Sequence, residues 1–291
     1  MSTRYFPPSE LIINADGSIF HLHVKPEQLA DKVILVGDPG RVANVASHFE
    51  SIECDISNRE FNTITGTYKG KRITVVSTGI GTDNIDIVVN ELDALANIDL
   101  SSRMEKPVFR QLTLVRIGTS GGMQPDLPLG SFLISEKSIG FDGMLNFYES
   151  RDAVSDLEFE TSMKEQLDWN PQLAAPYVVD ADAGLVNQIG LDDMMRGVTI
   201  SANGFYGPQG RVLRIGLADP HINDKIEAFR YKHYKITNYE MEGSAIAGLA
   251  KMMGHKAMTV CCVIANRRIE AANTNYQPYI EELIQKVLDR I

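Results

Sequence analysis

Residues 112–123 read LTLVRIGTSGGM. Leu112 to Ile117 carry the apolar pattern of a buried strand, which Gly118, Thr119, Ser120, Gly121 and Gly122 break beside one arginine, Arg116. Glycines let backbone N–H groups approach an anion, the two hydroxyls add donors, and a guanidinium offers a fork matched to phosphate or carboxylate oxygens. The plainer reading is a strand whose arginine pairs with a structural acid and whose glycines only make a turn. Other segments have to decide between the two.

Working outward, the same design recurs. Residues 32–41, KVILVGDPGR, form an apolar strand that ends at Gly37-Asp38-Pro39-Gly40 and places Arg41 in the first turn of a helix, where N–H groups and dipole favour anions. Residues 72–77, RITVVS, run into Thr78-Gly79-Ile80-Gly81, and Asp83 and Asn84 are expected to cap a helix over 85–96. Further strands are expected at 130–135, 197–202 and 256–265, a hairpin around 56–71, and helices at 244–253 and 281–291. Ile19 to His23 alternates, so that His21 and His23 should share one strand face. Several strands ending in glycine turns suit an α/β sheet with its ligand at the strand ends.

Two later stretches add chemistry. Asn203 to Arg211, NGFYGPQGR, joins Phe205 and Tyr206 to Gln209 and Arg211, so rings can stack on a planar ligand while an amide and a guanidinium meet its polar edge. Residues 238–242, NYEMEG without its glycine, place Glu240 and Glu242 before a small-residue helix; the dipole favours such acids, and a carboxylate there also accepts from a sugar diol.

Bulk properties exclude several classes. With 44% hydrophobic residues over 291 positions the chain supports a substantial core. Its net charge of -10 opposes general nucleic-acid binding, and no stretch nears the roughly 18 apolar residues of a membrane span. Cys54, Cys261 and Cys262 are an odd count without metal-ligand spacing, and no signal core begins the chain, so a cytoplasmic protein without metal is expected. Residues 1–19 read as a polar arm and 20–291 as a single domain, with 99–110 an unusually long connection.

Gly37-Asp38-Pro39 with Arg41, Arg59-Glu60-Phe61, Ser77 to Gly81, Arg116 to Gly121, Gln209-Gly210-Arg211, Asn238 to Glu242 and Val263 to Arg267 occur in the order seen in the nucleoside phosphorylases. The chain resembles that family from about Phe20 onward, its uridine-cleaving members most. The resemblance implies a three-layer α/β/α fold with a central mixed β-sheet and a pentosyltransferase in which inorganic phosphate, a co-substrate rather than a cofactor, converts uridine to uracil and ribose 1-phosphate. It implies that Gly37, Arg41, Arg116 and Thr119 hold phosphate, with Arg59 arriving from a neighbouring subunit. Met241 and Glu242 would bind ribose, with the neighbour's copy of His21, while Phe205, Gln209, Arg211 and Glu240 would bind the base.

Arg116, Gln209, Arg211 and Glu242 would carry the catalysis, without an organic cofactor. The expected assembly is a homodimer with shared sites, and three such dimers would make the larger hexamer. Purine-cleaving relatives place an aspartate where this chain has Asn266, which favours a pyrimidine, because an amide is no general acid. The alternatives are a phosphorylase of broader or purine specificity, a nucleosidase using water, and a non-catalytic nucleoside-binding relative. Gly81-Thr82-Asp83-Asn84 departs from the Gly-Gly-Pro-Ser of bacterial uridine-cleaving members, which removes the motif's support for a monovalent cation between subunits near Glu60 and Ile80.

Overall fold

Asp38 ends the first apolar run, β1 (Lys32–Val36), by starting α1 (Pro39–Ala46): its side chain accepts the Gly40 N–H at 2.9 Å, and Pro39 needs no helical partner. This is a computed structural model, and it describes residues 4–291. An antiparallel meander follows in β2 (Ser51–Asn58), β3 (Phe61–Tyr68) and β4 (Lys71–Ser77). Then come α2 (Thr82–Asn97), a small ribbon of β5 (Ile98–Asp99) and β6 (Met104–Glu105), and the long β7 (Thr113–Gly122). The second half comprises β8 (Phe132–Gly140), α3 (Leu157–Gln166), β9 (Tyr177–Asp180), α4 (Ala183–Gly190) and β10 (Met195–Ser201). It closes with α5 (Ile222–Ala228), β11 (Ile236–Glu240), α6 (Gly243–Met253), β12 (Lys256–Asn266), β13 (Ala271–Ala272) and α7 (Gln277–Arg290).

Eleven strands form one mixed sheet in the order β13-β12-β8-β10-β11-β7-β1-β4-β3-β2, with β9 on β8. Alternation sends Val33, Leu35 and Leu114 to a core under α2 and α6, and Ile34, Val36, Val115 and Ile117 to another under α1, α4 and α7. The fold is therefore three-layer α/β/α around a mixed sheet, as expected. Each fully buried aliphatic side chain in these layers contributes about 1.5 to 3 kcal/mol.

The sheet also closes on itself, which was not foreseen. β12 pairs with β7 on one side and β8 on the other, so β7, β12, β8, β10 and β11 form a ring that returns to β7. Val198, Ile200 and Val260 face outward into apolar clusters, whereas Ser135, Thr199 and Asn238 bond one another inside at 2.7 and 2.8 Å.

Three local expectations are corrected. Residues 19–24 are a turn rather than a strand, closed by Ile19 N–H to the Val24 carbonyl at 2.9 Å and by His23 at positive φ, so His21 and His23 share no strand face. The residue before α2 is Gly81, at φ 99°, and no side chain caps that helix; Asp83 lies within its first turn. The connection 99–110 holds the β5/β6 ribbon, against which the described part of the arm lies, with Tyr5 bridged to Met104. Residues 1–3 of the expected arm fall outside the described residues.

All three cysteines are free thiols. Among the described residues no helix is long and apolar enough to cross a membrane, and no cluster of three His, Cys, Asp or Glu is placed to hold a metal.

Candidate active site

One edge of β7 changes partner partway along. Its first half pairs with β1 as far as Val36 opposite Ile117, and its last two residues pair with β11 as Tyr239 opposite Gly121. β1 runs parallel to β7 and β11 antiparallel, so both reach the intervening Gly118–Ser120 with their C-terminal ends. The chain continues from β1 through Gly37 and Asp38 and from β11 through Met241 and Glu242, and a cavity of about 680 Å³ opens where they meet. Arg116, Thr119, Ser120, Gly37, Arg41, Met241, Glu242 and Glu240 all line it. Gly118 is needed here for space: a Cβ would fall 2.8 Å from the Arg116 Cζ, where the guanidinium folds back along the strand.

At this end Arg116 is only 4% exposed. Its Nη2 pairs with Glu242, its Nη1 lies 3.1 Å from Glu240 Oε2, and the same Nη1 donates to Cys261 Sγ at 3.4 Å. Burial opposes the guanidinium's charge, but Glu242 and Glu240 outweigh it and hold its pKa above the ordinary arginine range. Burial, with Glu240 adding repulsion, raises Glu242 against the pull of Arg116. Cys261 is core filler with a second task, and burial pushes its thiol up to about 12.

Arg41 differs. It is buried too, yet its one hydrogen bond is to the Ile117 carbonyl at 3.3 Å, and no carboxylate pairs with it among the described residues. Burial first and Arg116 second push its pKa down, so an anion placed between these two guanidinium groups relieves a strain that the protein itself leaves in place.

The far end is built by the 203–211 loop. Arg211 stacks 3.7 Å over the Phe205 ring and donates to Gln209 Oε1 at 2.6 Å, and Arg267 donates to the same oxygen at 2.9 Å. Two guanidinium groups thereby fix the amide, and its Nε2 makes no hydrogen bond among the described residues. Burial and the repulsion of Arg211 push Arg267 down to about 10.

Gly37, Arg41, Arg116, Thr119, Met241, Glu242, Phe205, Gln209, Arg211 and Glu240 are thus brought to one cavity, whereas His21 and Arg59 are not. His21 Nδ1 is 2.6 Å from Glu91, and Arg59 stands 5.7 Å over the Phe20 ring on the same surface. Glu240, expected at the base, is already occupied by Ser201, the N–H groups of Glu242 and Gly243, and Arg116. Asn266 does not line the cavity either: its amide donates to the Gln124 and Leu127 carbonyls at 2.8 and 2.9 Å. Arg267 escaped sequence reading as a site residue, although it closes one of the ordered motifs; the Ser120 hydroxyl, read from the sequence as a donor, is buried at the cavity wall without a partner among the described residues.

A family model described as the phosphorylase superfamily matches residues 31–290. The chain belongs to that superfamily. A uridine phosphorylase of Thermococcus kodakarensis is 30% identical over 254 residues, covering 87% of this chain and 79% of that protein. A DeoD-type purine nucleoside phosphorylase of Geobacillus is 28% identical over 246 residues, 84% of each. Among solved structures, a Trypanosoma brucei nucleoside phosphorylase that shows uridine phosphorylase activity superposes with a TM-score of 0.85 at 28% identity, over 97% of this chain and all of that one. That structure shares the architecture described above.

Proposed function

We propose that this protein is a uridine phosphorylase, a pentosyltransferase that uses inorganic phosphate as co-substrate and needs no organic cofactor. Breaking a glycosidic bond builds positive charge on ribose and negative charge on the base. Phosphate between Arg41 and Arg116, with Thr119 and the Gly37 turn beside it, lies where it can attack the anomeric carbon while the bonding pair leaves with uracil. Met241 and Glu242 hold the sugar.

The observation that carries the choice of base is the acid-free cluster at the far end. Gln209 has its oxygen taken by Arg211 and Arg267, which leaves an N–H donor and guanidinium charge for a ligand edge made of acceptors. Uracil leaves with its charge on carbonyl oxygens and suits such donors. A purine leaving through a ring nitrogen calls for a general acid, and no carboxylate bonds to Gln209, Arg211 or Arg267 among the described residues. Initial rates with uridine, thymidine and inosine, with and without phosphate, test the reading. Preference for uridine that depends on phosphate is expected. The Geobacillus relative supports a purine reading, which preference for inosine would establish. Equal rates without phosphate would mean a nucleosidase, and binding without product a non-catalytic protein.

The active form is a homodimer with shared sites, which three-fold assembly would extend to a hexamer. The support is the patch outside the cavity, where Arg59 has no carboxylate partner among the described residues and adjoins Phe20 and His21. Mixing inactive Arg59→Ala and Arg41→Ala proteins should regenerate activity, because half the mixed dimers' sites are intact; a mixture that stays inactive means self-contained sites.

A further inference from the structure

Ser201, the last residue of β10, is fully buried on the inner face of the closed ring. Its Oγ accepts the Ser244 N–H at 2.8 Å and donates its own proton to Glu240 Oε1. The hydroxyl has a single proton, and the contact from Ser244, in the first turn of α6, commits that proton to the carboxylate. Glu240 also accepts the N–H of Glu242 at 2.9 Å and that of Gly243 at 2.9 and 3.0 Å before it reaches Arg116 at 3.1 Å. It therefore ties the start of α6, the end of β10 and the guanidinium of β7 together, and keeps no acceptor free for a substrate. Glu242, by contrast, is held among the described residues by Arg116 and by the Gly81 N–H at 2.8 Å alone. Of the two carboxylates flanking Arg116, Glu240 is the anchored one, and Ser201 is its only side-chain donor besides Arg116 among the described residues.

We infer that Ser201 is a positioning residue for phosphorolysis: it fixes Glu240, which in turn aims the Arg116 guanidinium at phosphate. The inference rests on the phosphorylase reading and deepens it. Without the hydroxyl, the Ser244 N–H loses its acceptor and Glu240 Oε1 keeps only the Gly243 N–H at 3.0 Å, so the carboxylate holds the direction of Arg116 less firmly while Arg116 keeps its charge.

The experiment compares Ser201→Ala, Ser201→Thr and Thr199→Val in the full chain, measuring KM for phosphate, KM for uridine and thermal midpoint. Thr199 lies two residues earlier on the same inner face and bonds Ser135 and Asn238 instead, so it reports the cost of disturbing the ring without touching Glu240. Ser201→Ala should raise KM for phosphate about tenfold, the loss of one charge-assisted hydrogen bond, and leave KM for uridine much less changed. Ser201→Thr, which keeps the hydroxyl, should restore phosphate binding, and Thr199→Val should lower the midpoint with KM for phosphate unchanged. If Ser201→Ala fails to fold, Ser201→Cys, a weaker donor, should still give an intermediate phosphate KM. Wild-type phosphate KM in either Ser201→Ala or Ser201→Cys, or an equal rise in Thr199→Val, overturns the role. Absence of phosphate-dependent turnover in the unsubstituted protein sinks the phosphorylase reading instead, so the two failures are distinguishable.

Discussion

At one end of the cavity Arg116 is buried between Glu240 and Glu242, whereas at the other Arg211 and Arg267 share a glutamine oxygen and meet no carboxylate among the described residues. The first arrangement fixes a cation in place before any ligand arrives. The second leaves positive charge that only a ligand compensates. The comparison separates two uses of arginine in one pocket: neutralised and fixed at one end, uncompensated at the other, which on the proposed function are the ends of the incoming anion and of the departing group.

The comparison breaks most easily at Arg116. Replacing it by alanine leaves two buried carboxylates without their cation, so stability should fall by about 3 to 5 kcal/mol, measured by denaturant titration. A wild-type transition would mean that the two ends do not differ in this respect. Arg211→Ala should behave oppositely: little change in stability, but kcat/KM for uridine reduced by roughly 1.5 to 3 kcal/mol of lost charge-assisted bonding to the leaving base. Equal losses of stability in the two variants would erase the distinction. The smallest effect is expected for Phe205→Ala, whose half-exposed ring supports the Arg211 guanidinium by a contact of about 0.5 to 1 kcal/mol at such sites. A modest rise in KM for uridine with KM for phosphate unchanged would sharpen the assignment of that end to the base.

Much of this was legible because it is local. The apolar runs at 32–36, 72–77 and 256–265 are strands β1, β4 and β12 to within a residue or so, and the glycine turns after the first two carry Arg41, Gly79 and Ile80 to the cavity. Ring closure was not legible, since the pairing of residue 116 with 259, or of 121 with 239, joins segments more than a hundred residues apart and leaves no periodic trace. β8 runs past Ser135 because buried Lys137 is neutralised by Asp156 and Asp180, a pairing that a hydropathy pattern reads as a strand end. The turn at 19–24 imitated a strand because alternation over five residues has no unique cause.

In the site, residue type picked out side chains that mostly share one pocket, but not what each of them is bonded to. Glu240 was read as a ligand group, and its saturation by backbone donors follows only from the way α6 begins. Asn266 looked like a substitute for a proton donor, and it serves instead to hold the 124–127 turn. His21 and Arg59 have no counterpart inside the cavity of their own chain.

The divided edge of β7 has one further consequence. The half of the pocket around Arg41 and Arg116 is written into hydrogen-bond register shared by two strands, while the half around Phe205, Gln209 and Arg211 sits on a connection outside the sheet. Drift at 203–211 can therefore reshape that half of the pocket and disturb no strand pairing, but a slip at Gly118–Ser120 would displace both neighbours at once. An ancestral chain of this design could change its diet without rebuilding its reaction.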